Sequence, residues 1–128
     1  MLIPRPILAL LSITLAVACG GASVDATTLG ITAAIDPSPP RVGQNTLAIT
    51  LTDNGGGPVE DVTIDAVPYM PGMGHGSNEA ATISEKGNGL YEAHPITFTM
   101  AGAWEVTVTV DLTGETAEKV FSFDVPTP

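Results

Sequence analysis

From Ile31 onward, apolar and polar positions alternate with a period of two, and the alternation is broken at short intervals by Gly, Pro, Asn and Asp. This is the pattern of half-buried strands joined by turns, and no helical period appears beside it. Ile31, Ala33 and Ile35 begin a first strand that Pro37-Ser38-Pro39-Pro40 ends. Leu47, Ile49 and Leu51 mark a second, followed by the turn Asp53-Asn54-Gly55-Gly56-Gly57-Pro58. Val62, Ile64 and Ala66 form the next inward set, and Pro68 to Ser77 reads as a glycine-rich loop. A short strand over Ala80–Ser84 leads to the hairpin turn Lys86-Gly87-Asn88-Gly89. Leu90–Phe98 reads as a strand broken at Pro95, which has no amide to give a ladder. Trp104, Val106, Val108 and Val110 then alternate with Glu105, Thr107, Thr109 and Asp111, the clearest strand of all. Phe121, Phe123 and Val125 close the chain. About seven antiparallel strands at this spacing predict an all-β, immunoglobulin-like sandwich over residues 29–126, with Trp104, Phe98, Phe121 and Phe123 as its aromatic core.

The N-terminus follows a different rule. Arg5 precedes an apolar run from Ile7 to Ala18, interrupted only by Ser12 and Thr14. A positive start and an apolar stretch of about a dozen residues are the pattern of a signal peptide, here residues 1–18. Leu15-Ala16-Val17-Ala18-Cys19 resembles the lipobox of bacterial lipoproteins, with Ala16 where leucine is commonest. The resemblance implies that Cys19 becomes the acylated first residue of the mature protein. The alternative is ordinary cleavage after Ala18, leaving a free thiol. Residues 19–28 read as a small, polar, flexible tether between lipid and domain. These features predict an exported protein held in the cell envelope. In a host with two membranes, Gly20-Gly21 lacks the aspartate that commonly retains lipoproteins in the inner membrane. The outer membrane, facing the periplasm, is then the expected site.

Composition narrows the partners. Four Lys and Arg stand against fourteen Asp and Glu, a formal net charge of −10. Such a surface repels a phosphate backbone, so nucleic acid is not an expected partner. It keeps the domain soluble outside the cell, and it favours cations. One cysteine permits no disulfide within the chain, so the fold must rest on its core.

The segment with chemical potential is Tyr69-Met70-Pro71-Gly72-Met73-Gly74-His75-Gly76. It holds two of the chain's four methionines and one of its two histidines. A thioether cannot oxidise to a disulfide, and it remains a soft ligand for Cu(I) where thiols are lost; imidazole takes Cu(I) or Cu(II). Met70, Met73 and His75 therefore form a candidate three-coordinate copper site, with His94 and Met100 as possible additional ligands. The plainer readings are that Met70 and Met100 cap the core and that the histidines are solvated. No catalytic constellation is legible. The Gly-x-Ser-x-Gly elbow and the lysine-bearing phosphate loop are both missing, and the chain is read as not an enzyme. A structural zinc site would require four Cys or His ligands, which the sequence lacks.

Val62–Val110 resembles the YtkA-like domain, which is related to the FixH-like proteins. The residues that carry the resemblance are the Met70–Gly76 loop, then Gly89-Leu90-Tyr91, then Ile96 to Val106 with Phe98, Met100, Gly102 and Trp104 at fixed spacing. The family commonly has Pro where this chain has Ala101, while Gly102 is retained; His94 matches no motif of the family. The resemblance implies an immunoglobulin-like sandwich on an exported or membrane-attached protein, and an association with periplasmic copper handling and oxidase assembly. Two functions are expected from these features. One is a lipid-anchored copper-binding accessory protein that passes copper to an envelope partner or sequesters it. The other is a metal-free structural or interaction module of the envelope.

Overall fold

In the computed structural model, residues 25–128 are described. The expected signal peptide, residues 1–18, and Cys19 lie outside them. The period-two alternation is translated into eight strands. These are β1 (Gly30–Asp36), β2 (Gly43–Thr52), β3 (Thr63–Met70), β4 (His75–Gly76), β5 (Thr82–Gly87), β6 (Leu90–Phe98), β7 (Gly102–Leu112) and β8 (Glu115–Val125). They pair antiparallel into two four-stranded sheets, β1-β2-β6-β5 and β4-β3-β7-β8. The inner faces of the sheets meet in one core, as in a β-sandwich. Leu47, Ile49, Leu51, Tyr91, Ala93, Ile96 and Phe98 come from one sheet; Ile64, Ala66, Met70, Trp104, Val106, Val108 and Val110 come from the other. Phe121 and Phe123 pack against this core but are only half-buried.

The strand count differs from the sequence reading because of the glycine-rich loop. Strand β3 runs on through Pro68 and Tyr69 to Met70, and the chain then folds back as the two-residue strand β4. Proline is tolerated there because β3 lies near the sheet edge, where its missing amide costs nothing. On the same edge the amide of Ala66 is taken by the Asp65 carboxylate at 3.0 Å, which removes one donor that a foreign strand could use. Pro95 does not break β6 either. Leu47 pairs with Ala93 and Asn45 with Ile96, so β6 carries one extra residue at His94–Pro95, and this bulge absorbs the proline.

The connections fix two poles. The turns β5–β6 and β7–β8, the start of β1 and the start of β3 share one end, to which Gly30 pairs with Thr52 and Thr63 with Asp111. The Met-His loop, the end of β6, the start of β7 and the end of β8 share the other, where Gly43 pairs with Phe98 and Gly102 with Val125. Asp25–Thr28, part of the tether in the sequence reading, form a turn in which the Asp25 carbonyl accepts from the Thr28 and Leu29 amides. The Thr27 amide and hydroxyl hold the Asp25 carboxyl below its usual range.

Two buried polar groups pin the ends of the core. At the loop pole, Asn45 is 2% exposed. Its carbonyl oxygen accepts from the Arg41 amide, and its Nδ2 donates to the carbonyls of Arg41, Gly43 and Ile96. Replacing it with alanine strands those backbone groups, so Asn45→Ala is expected to cost about 2–4 kcal/mol in chemical denaturation, at the high end for one buried polar side chain. At the opposite pole the Tyr91 hydroxyl donates to the Val59 carbonyl at 3.0 Å. Burial, reinforced by Glu85, pushes the Tyr91 hydroxyl up to about 12 from an ordinary 10. The folded state thus keeps a proton that the unfolded chain loses, and the Tyr91 contribution, intact below pH 10, drains away between pH 10 and 12. Stability measured across that window should fall more steeply in the native chain than in Tyr91→Phe.

Candidate metal centre

The register of one hairpin assembles the heart of the site. Met70 closes β3 and pairs with His75, which opens β4. Residues directly opposite in an antiparallel pair have Cβ atoms about 5 Å apart on one face. The turn between them is tight: the amides of Met73 and Gly74 both donate to the Met70 carbonyl, at 3.2 and 2.9 Å. Gly74 takes a positive φ of 67°, which glycine adopts without strain. Met73 occupies the tip of this turn and is 60% exposed.

Met70 faces inward, as its parity with Ile64 and Ala66 predicts, and is 5% exposed. Its terminal methyl fills the space where Gly102 has no side chain; a Cβ at Gly102 would collide with it. Gly102 also has a φ of 136°, a backbone conformation that favours glycine. His75 is half-buried, and its ring lies 5.8 Å from the Trp104 ring, edge to face at 70°. Trp104 is 1% exposed and packs on Phe98 at 5.3 Å. Its Nε1 donates to the Met100 carbonyl at 2.9 Å. One indole thus touches the His75 ring and, through a hydrogen bond, the backbone of Met100. Met100 itself is 38% exposed, in the β6–β7 turn.

Met70, Met73, His75 and Met100 therefore share one pole. His94 does not join them. It lies on the outer face of the other sheet, exposed, with Nδ1 2.9 Å from the Thr46 hydroxyl. The alternation of Tyr91 and Ala93 as inward positions already predicted that direction. Cys19 lies outside the described residues.

Among the described residues, no group of three or more His, Cys, Asp or Glu side chains is placed to hold a metal ion. Methionine sulfur, of which this pole holds three, suits a soft monovalent copper and poorly suits zinc, calcium or magnesium. The sequence reading missed Trp104 and Gly102 as parts of the site. It placed Trp104 in the core and Gly102 in a turn, and only the fold shows that the same indole and the same gap floor the Met-His hairpin.

No curated protein matches the chain. The YtkA-like family model matches residues 24–109, which takes in β1 through most of β7 and every residue of the hairpin, the Met100–Gly102 turn and Trp104. That match covers more than half of the sequence, and with the two-sheet sandwich it bears out the resemblance read from the motifs: the chain belongs to the YtkA-like family.

Proposed function

We propose that this protein is a non-enzymatic copper-binding accessory protein, exported and anchored by lipid at Cys19, that holds copper at Met70, Met73 and His75 for delivery or sequestration. The observation that carries the reading is the pairing of Met70 with His75 across the β3–β4 hairpin, with Met73 in the turn between them. Met100 stands at the same pole and is the better candidate for a further ligand, since His94 faces away on the other sheet. Thioether ligands favour Cu(I), and imidazole leaves room for Cu(II). The copper supplies soft-ligand exchange chemistry when bound. The protein's part is to preset the hairpin, to keep one sulfur dry on the core side and to leave another, Met73, in reach of an acceptor.

A second reading is favoured by one feature. Val67 and Tyr69, on the outer face of β3, are 50% and 43% exposed, and Met73 extends that apolar strip to the loop. A metal-independent partner captured through these residues would point to an interaction module instead.

The copper reading is tested on residues 20–128 by titration with Cu(I) against a competing chelator. Replacing Met70 and Met73 with Leu and His75 with Ala should lower affinity at least 100-fold; unchanged affinity would sink the site. Trp104 is the chain's one tryptophan, so its fluorescence reports binding directly. It should be quenched by stoichiometric Cu(I) in the native protein and not in the triple variant.

Gly102→Ala tests the floor of the site separately. The added methyl forces Met70 aside and strains the φ of 136°. The expected loss of stability is about 1–3 kcal/mol. Copper affinity should fall as well, while the far-ultraviolet spectrum of the sheets stays unchanged.

A further inference from the structure

The two ends of the sandwich carry different things. The chain enters at the pole where Gly30 pairs with Thr52 and β7 turns into β8. The entry is fastened there, since the Ala26 amide donates to the Glu115 carboxylate at 3.1 Å and Asp25 closes a turn on Leu29. The Met-His hairpin occupies the other pole, where β7 begins at Gly102. Strand β7 spans the whole interval, from Leu112 beside the entry to Gly102 beside Met70. At a rise of about 3.3 Å per residue, that is roughly 30 Å.

We infer that the domain presents its Met-His hairpin away from the membrane that anchors it, to a copper partner arriving from the aqueous side with thioether or imidazole ligands of its own. This rests on the lipid anchor at Cys19 and the copper site proposed above. Only five residues, hence six Cα–Cα steps, separate Cys19 from Asp25, the first residue of the folded body. Fully extended they reach about 20 Å, less than the length of the sandwich. The hairpin therefore cannot be turned down onto the bilayer while the entry pole stays uppermost. The orientation is therefore set by the tether and the fastened entry, not by charge: the entry pole carries Glu60, Asp61, Asp111 and Glu115, which hold it off an anionic lipid surface rather than draw it in. A partner whose metal site lies flush with the same bilayer would not meet the hairpin; one with a soluble or raised domain would.

The test uses the full lipidated chain purified from membranes. Acylation occupies the sulfur of Cys19, so one introduced cysteine is the only thiol. Gly72→Cys marks the hairpin, where an added Cβ meets nothing within 4 Å; Thr113→Cys marks the exposed β7–β8 turn. Each variant is labelled with a fluorophore and reconstituted into vesicles of phosphatidylcholine and phosphatidylglycerol (4:1) bearing a nitroxide-headgroup lipid. Quenching of the Thr113 label should exceed that of the Gly72 label at least threefold. Protein that floats with the vesicles but shows equal quenching, or stronger quenching at Gly72, overturns the orientation alone. Protein that does not float overturns the anchor at Cys19 and the orientation with it. Neither result depends on copper, so the copper titration stands or falls separately.

Discussion

The Trp104 indole joins the core of this protein to its loop pole. Its ring packs on Phe98 from the opposite sheet, and Phe98 in turn lies 6.2 Å from Phe123. Aromatic pairs of this kind contribute about 0.5–1.5 kcal/mol each beyond the area they bury. Its one polar atom is satisfied by the Met100 carbonyl, which fixes the β6–β7 turn. Its remaining edge meets His75. A chain with a single cysteine has no disulfide to close its ends, so its stability and the placement of its loop must come from the same packed side chains. The hairpin sits where it does because the indole does.

The same pole uses a glycine two residues after Met100: Gly102 leaves open, at the start of β7, the space that the terminal methyl of Met70 fills. The thioether is thereby held against the core while the next methionine, three residues on, is free in solvent. For the copper site proposed above, a buried sulfur and an exposed one, joined by a turn of backbone hydrogen bonds to the Met70 carbonyl, would suit capture and release better than two buried ones: the buried group would set the geometry in advance, and the exposed group would leave a path for another protein's ligands.

Most of the sheet structure was legible in the sequence because each inward set obeys the period of two through a turn residue at either end. The Trp104–Val110 alternation is the clearest case: all four inward residues are buried and the intervening ones are not. Two readings failed at proline, for one physical reason. Pro68 and Pro95 were read as ending or breaking strands, yet one lies near a sheet edge and the other on a bulge, and sequence periodicity does not reveal where edges and bulges fall. The candidate ligands divide in the same way. The spacing of Met70, Met73 and His75 was visible as a motif, and the inward parity of Met70 was visible as alternation. That His75 opens a strand opposite Met70 is a pairing across a turn of only a few residues, but that Trp104 lies against His75 depends on a contact between residues about thirty positions apart, which no local pattern encodes.

The choice of ligands and the choice of fold constrain one another. Thiolates would be the stronger soft ligands, but in the oxidising setting of the proposed exported protein a pair of them would form a disulfide. Methionine escapes that fate, yet a neutral thioether binds weakly and needs to be positioned before a metal arrives. A loop on a helical scaffold would supply that by packing alone. A β-hairpin extended from a core strand supplies it by register: once Tyr69 pairs with Glu105 and Met70 with His75, a slip of one residue would turn Met70 out to solvent and Tyr69 into the core. The buried Met70 thus guards the register that places His75. The same residue serves the fold and the proposed site, and a substitution that spared one while removing the other would have to keep its length and its apolar surface but not its sulfur.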